Sequence, residues 1–383
     1  MQTQKNDNTL GLYIHIPFCK SKCYYCDFFS FAGREDIIYP YFQALKNEIE
    51  SYKGILGNYK IGTVYIGGGT PSVVDANCIR ELINNCRKHF NIEPGAEISI
   101  EANPGTLSFD KLATYLDTGI NRLSIGMQAW QDRLLESIGR IHRSGEFIEN
   151  FELARKAGFT NINVDLIFGL PGQTFDDWTE TVDNVAELKP SHISCYSLKI
   201  EEGTVFGDML GEGRLKPVED ELDRQMYHFA IDRLAGHGFR HYEISNFSKP
   251  GFECKHNLVY WEGRQYIGLG AGAHSYFNGK RYNNTYDLNN YINCAAKNQF
   301  HRENIEEIDI NGQISEYIIL GLRLIRGVDV DKFKMKFETD VFDLFGKQID
   351  RLISRGLIEF NERTLRLTKL GLDLANQVFI EFL

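Results

Sequence analysis

The chain has 383 residues, a formal net charge of −10 and 43% hydrophobic residues, enough for one large domain with an appendage or for two or three ordinary ones. Its lysines and arginines are scattered with no basic stripe, so no nucleic-acid surface is expected, and no apolar run approaches the roughly 20 residues of a membrane span. The polar opening, residues 1–8, has no signal-peptide core, and the eight cysteines form one close triplet and five dispersed positions rather than a disulfide framework. A reducing, cytoplasmic location is expected.

The first predicted strand, residues 12–16, runs into Cys19-Lys20-Ser21-Lys22-Cys23-Tyr24-Tyr25-Cys26. Three thiolates this close together can hold three irons of a cubane 4Fe-4S cluster and leave the fourth iron free for chemistry. A closed zinc site wants four ligands, and the position two beyond Cys26 is Phe28. An incomplete zinc knuckle, or cysteines that merely pack, are the alternatives. Phe18 and Tyr25 are placed to shield the cluster, and His15 is read as a barrel histidine facing away from Tyr13.

Further apolar runs at 63–66, 97–100, 122–125, 163–168 and 192–198 read as strands. Apolar residues at three- and four-residue spacing mark helices between them at 39–53, 76–90, 108–118, 145–157 and 175–188. This alternation predicts an α/β fold, a partial (βα)6 TIM-type barrel. The unusual motifs fall where strands end, on the C-terminal rim where such barrels build their sites. Gly67-Gly68-Gly69-Thr70-Pro71 offers bare backbone to a ligand, or simply a tight turn. Glu101 can accept hydrogen bonds from hydroxyl or amino groups, or be a solvated acid. Gln128 follows the fourth strand, and Arg140 offers a fork for a carboxylate. Asp165 lies in an apolar strand and needs a ligand or a structural partner, because burying it unpaired is costly.

From about residue 216 the alternation stops. A helix at 219–235 and a strand at 240–245 precede His256-Asn257-Leu258-Val259-Tyr260-Trp261. An imidazole can serve as an axial haem ligand, and Tyr and Trp offer flat apolar surfaces, although ordinary packing uses the same residues. Cys254 is an alternative thiolate ligand, and residues 268–274 form a glycine-rich loop ending in His274. Residues 357–360 and 364–367 read as a hairpin flanked by helices, a winged-helix-like end without a concentrated positive face, suited to packing or partner docking. The expected division is 1–215 for the barrel, 216–305 for a mixed α/β extension and 306–383 for the winged-helix-like domain.

The triplet, with Tyr13 six residues ahead of Cys19, resembles the cluster loop of the radical S-adenosylmethionine (SAM) superfamily. More narrowly the chain resembles the family of oxygen-independent coproporphyrinogen III oxidase and the HemW-type haem chaperones. The resemblance implies a 4Fe-4S cluster on Cys19, Cys23 and Cys26, with SAM on the open iron. It implies SAM contacts from Tyr13, Gly68, Gly69, Thr70, Glu101, Gln128, Arg140 and Asp165, and haem on His256.

The oxidase pattern adds a cysteine where Phe28 stands and a longer segment than the 18 residues ahead of Cys19, and the hexamer at 256–261 marks the chaperones. The implied function is therefore a haem carrier that serves haem-accepting proteins such as membrane respiratory enzymes. The oxidase is the alternative, and a radical SAM enzyme acting on an unrelated substrate is a third reading.

Overall fold

The structure, a computed structural model, describes residues 8–383, so most of the polar opening lies outside the described residues. Six parallel strands stand side by side in chain order: β1 (Thr9–Ile16), β2 (Lys60–Gly68), β3 (Asn91–Ala102), β4 (Arg122–Gln128), β5 (Ile162–Phe168) and β6 (His192–Ser197). Helices Ile38–Ser51, Ala76–His89, Phe109–Asp117, Ser144–Ala157 and Phe175–Glu187 connect them. All eleven expected elements of the barrel are present. Local chemistry fixes several helix ends. Ser108 and Thr174 accept hydrogen bonds from backbone N–H groups of the first turns, and Gly158 ends its helix at φ 119°.

The strands alternate. Ile14, Val64, Ile66, Ile98, Ile100, Ile125, Val164 and Ile193 are buried in the main apolar core with residues of the surrounding helices. The intervening residues form a polar interior: Thr63, Glu97, Ser99, Arg122, Ser124, Asn163, His192 and Ser194 are all buried. Strand register places them side by side, with Thr63 opposite Glu97, Ser99 opposite Arg122, Ser124 opposite Asn163 and Asn163 opposite His192. Period-two geometry turns this sequence alternation into an apolar outside and a polar inside.

The sheet extends beyond the six expected strands. β7 (Arg240–Glu243), β8 (Asn246–Ser248), β9 (Tyr266–Leu269), β10 (His274–Phe277), β11 (Lys280–Asn284) and β12 (Arg302–Glu307) complete a twelve-stranded order, β12-β11-β10-β9-β1-β2-β3-β4-β5-β6-β8-β7. β9 lies parallel to β1, with Gly11 opposite Tyr266 and Ile14 opposite Leu269. A four-residue strand containing a glycine is too short for periodicity to reveal. Its stability comes from β1, more than 250 residues earlier in the chain.

The short helix Lys255–Trp261 packs against β1 and β2 beneath the barrel. Residues 310–383 build a separate apolar core around Ile318, Phe333, Ile349, Leu352 and Phe382. Their three-stranded sheet, Val328–Asp329, Thr364–Leu367 and Ile358–Asn361, with its flanking helices, gives the expected winged-helix-like arrangement. This unit docks on the floor side: Ile244 N donates to Arg323 O at 3.1 Å, Ile325 N to Tyr242 O at 3.1 Å, and Arg323 lies 4.2 Å over the Trp261 ring. Among the described residues no helix is long and apolar enough to cross a membrane.

Candidate functional site at the barrel rim

The loop after β1 carries the triplet. Cys19, Cys23 and Cys26 are free and partly exposed, whereas Cys86, Cys195 and Cys254 are buried. A backbone turn, Cys26 N to Cys23 O at 3.2 Å, holds the last two cysteines close. The thiols have donors beside them: Thr70 Oγ1 is 3.5 Å from Cys19 Sγ and Arg140 Nη1 is 3.6 Å from Cys23 Sγ. Burial raises the Cys19 and Cys26 thiol pKa values, and the Thr70 hydroxyl opposes this at Cys19. A bound cation that takes the thiolates would offset that burial.

Among the described residues no three His, Cys, Asp or Glu side chains converge on a single-ion position. A cubane gives each thiolate its own iron and needs no common point, so these residues fit the cluster.

The second rim loop is tied to the first. Gly69 N donates to Ile16 O at 2.9 Å and Thr70 N to Phe18 O at 2.8 Å. Asn103 Nδ2 donates to Thr70 Oγ1 at 2.9 Å. Glu101, at the end of β3, accepts from the Tyr65 hydroxyl at 2.8 Å and from Gly68 N at 3.1 Å. Burial pushes its pKa up to about 7, against the Tyr65 hydrogen bond and with a further upward push from Asp165. Asp165 is held by Ser124 Oγ at 2.8 Å and Asn163 Nδ2 at 2.9 Å, so among the described residues it has polar partners and no ion pair.

Gln128 has φ 74°, beside the irregularity between Gly126 and Gln128 where β4 pairs with β5. This left-handed conformation is uncommon for a residue with a Cβ and concentrates at functional sites. A Cβ added at Gly126 would lie 2.5 Å from Arg140 Nη2, 2.8 Å from Gln128 Nε2 and 2.9 Å from Asn103 Oδ1. Three polar side chains thus converge over one bare backbone position. Arg140 was expected to present a fork to a carboxylate. Here Nη2 donates to Gly126 O at 2.7 Å, Nη1 faces Cys23, and Nε is buried without a partner among the described residues.

Tyr13 stacks on Tyr65 with ring centroids 6.4 Å apart, and its hydroxyl is 2.9 Å from His15 Nδ1. His15 therefore shares the Tyr13 side, contrary to the expectation that it faces away, because residues two apart in a strand share a face. His15 Nε2 bonds Phe29 O at 2.7 Å and so pins the far end of the cluster loop.

The structure brings Tyr13, Cys19, Cys23, Gly68, Gly69, Thr70, Glu101, Gln128, Arg140 and Asp165 to one rim, but not His256. That residue lies under the barrel, 1% exposed. Its Nδ1 is 2.8 Å from Thr63 Oγ1 and its Nε2 2.9 Å from the Tyr260 hydroxyl. Its ring stacks on Tyr65 at 5.2 Å, and burial lowers its pKa to about 3. Glu97 accepts from the backbone N–H groups of Lys255 and His256, each at 3.1 Å, and caps this helix from β3.

Sequence reasoning missed Tyr65, Asn103, Ser124 and Asn163, which hold Glu101, Thr70 and Asp165 in place. A signal was available. Polar residues two positions apart on otherwise apolar strands, as in Asn163–Asp165 and Ser99–Glu101, mark an interior that must satisfy itself.

Comparison with known proteins places these residues in context. The radical SAM superfamily matches residues 13–185, and the HemN C-terminal domain matches residues 311–374. A protein named heme chaperone HemW from Lactococcus lactis is 39% identical, over 97% of this chain and 96% of its own length. One of the same name from Bacillus subtilis is 38% identical, over 97% and 98%, and one from Mycobacterium tuberculosis is 33% identical, over 96% and 93%. The structure of coproporphyrinogen III oxidase (HemN) from Escherichia coli, a radical SAM enzyme, has a TM-score of 0.85 over 97% of this chain and 89% of its own. At 24% identity, this is a likeness of fold.

Proposed function

The chain belongs to the HemW family within the radical SAM superfamily, and we propose that it is a haem chaperone, which binds haem and hands it to haem-requiring proteins, respiratory enzymes among them. The observation that carries this reading is the match over nearly the full length of both chains to relatives named heme chaperone. Phe28 supports it. Where the oxidase pattern has a further cysteine, this chain has a phenylalanine that is 63% exposed.

The family implies a 4Fe-4S cluster and SAM, which supply electron transfer and an activated sulfonium when bound. Cys19, Cys23 and Cys26 would hold the cluster. Tyr13, Gly68, Gly69, Thr70, Glu101, Gln128, Arg140 and Asp165 would surround SAM. In these roles Glu101 and Asp165 accept hydrogen bonds, Arg140 Nε offers a donor that has no partner among the described residues, and Tyr13 with Tyr65 keeps water out from below.

The competing reading is the oxidase, whose fold this chain shares. Anaerobically reconstituted protein is titrated with haem, then offered coproporphyrinogen III with SAM and a reductant. Stoichiometric haem uptake, transfer to an apo-haemoprotein and no decarboxylated product is the expected result. Sustained turnover to protoporphyrinogen would replace the chaperone with the oxidase.

A further inference from the structure

Resting on the haem-chaperone reading, we infer that the porphyrin iron is taken by His274 on the rim beside the cluster loop, while His256 serves as a structural residue of the barrel floor. A histidine that ligates iron needs a neutral imidazole with one nitrogen within reach of a flat, rigid molecule. His15, His142, His192 and His256 are buried, and His256 has both ring nitrogens bonded within the protein. His228 is paired with Asp373. His89, His237 and His241 are half-buried, and His274 and His301 are the exposed histidines among the described residues; His301 has no ring contact there.

His274 opens β10, immediately after the Gly270–Ala273 turn that leaves the rim end of β9. Its Nε2 is 2.6 Å from the Tyr286 hydroxyl, and the two rings meet edge to face at 6.1 Å. With Nε2–H donating to Tyr286, the Nδ1 lone pair is left for iron. An outer partner of this kind sets tautomer and ring orientation in metal-ligating histidines.

The surroundings suit a porphyrin face. Tyr286 is 45% exposed and meets Phe29 edge to face at 5.4 Å; Phe28, adjacent on the cluster loop, is exposed. These rings close over Gly272. At φ +71°, a Cβ there would sit 3.0 Å from Phe29 and 3.1 Å from Tyr286, so a side chain would break the aromatic surface. Lys20 and Lys22, exposed on the same loop, carry the charge that propionates require. Through Phe29 O and His15 this surface connects to Tyr13.

The test is a haem titration of full-length, anaerobically reconstituted wild type, His274→Ala, His274→Met and His256→Ala, read by Soret absorbance and resonance Raman. His274→Ala is expected to weaken binding by about tenfold or more and to lose the histidine-ligated spectrum, and His274→Met to retain haem with a thioether signature. Wild-type affinity and spectrum in His274→Ala overturn this inference and leave the chaperone reading standing. A wild type that takes up no haem overturns the chaperone reading itself, and this inference with it.

Discussion

At the rim of the barrel three thiols stay partly exposed and Arg140 keeps a buried Nε without a partner among the described residues. At the floor, His256 has a partner on each ring nitrogen, Glu97 caps the helix that carries it, and Arg323 covers Trp261. Both ends draw on the same inward-facing strand positions. Buried polar groups cost free energy unless bonded; Trp261 Nε1, Arg122 Nε and Arg323 Nε at the floor also lack partners among the described residues, so the difference between the ends rests on the free, partly exposed thiols of the rim and the fully bonded ring of His256. The two ends are also connected. Asp165 bonds Asn163, Asn163 bonds His192 at 2.6 Å, His192 bonds Tyr242 at 2.8 Å, and the Tyr242 hydroxyl accepts from Cys254 N at 3.2 Å, at the start of the floor helix.

The largest effect that separates the ends is all or none. Replacing any one of Cys19, Cys23 or Cys26 by alanine should abolish stable iron and sulfide incorporation, since three irons have only three protein ligands. Because the loop is partly exposed, the unfolding midpoint of the metal-free protein should barely move. Full retention of iron and sulfide in a single variant would remove the cluster assignment.

The floor should respond in the opposite sense. His256→Ala deletes a buried ring, its stacking on Tyr65 and two hydrogen bonds, at an expected cost of about 3–4 kcal/mol. His274→Ala on the rim should cost no more than about 0.5 kcal/mol, as exposed substitutions generally do. Urea denaturation of the two variants measures both. Equal midpoint shifts would end the distinction between a structural floor and a functional rim.

Much of the rim is legible in the sequence because its chemistry is local. Three cysteines within eight positions and a glycine run after a strand need no tertiary knowledge, and long strands such as Ile162–Phe168 declare themselves by period. The floor is not legible, since what decides the role of His256 is its contact with Thr63, 193 residues away in sequence. The hexamer 256–261 has residues that suit a haem site and the environment of a core helix; composition alone favours ordinary packing, and the haem reading comes from the family resemblance. β9 escapes for a related reason, although the glycine-rich loop that follows it is legible: a fully buried glutamate, Glu48, organises both from the first barrel helix. It accepts from Gly270 N at 2.8 Å, Asn284 Nδ2 at 2.7 Å and the Tyr291 hydroxyl at 2.6 Å.

The smallest effect is a pH slope whose sign differs between the ends. The Glu101 pKa is raised by burial from 4.5 to about 7 in the folded protein. Between those values the native state holds a proton that the unfolded chain has released. The stability this confers is fully present below about pH 4.5 and is lost as pH rises through 7. His256 is lowered by burial from 6.5 to about 3, so there the unfolded chain holds the extra proton. Its contribution is present above about pH 6.5 and is lost as pH falls toward 3. Each group changes the slope by at most about 1.4 kcal/mol per pH unit. Urea unfolding of metal-free wild type, Glu101→Gln and His256→Ala between pH 4.5 and 7.5 isolates each contribution by difference. The wild type should lose ground to Glu101→Gln as pH rises, and gain on His256→Ala. Differences of the same sign would mean that one of these two groups is not buried as described, and that the rim and floor do not differ in what burial costs them.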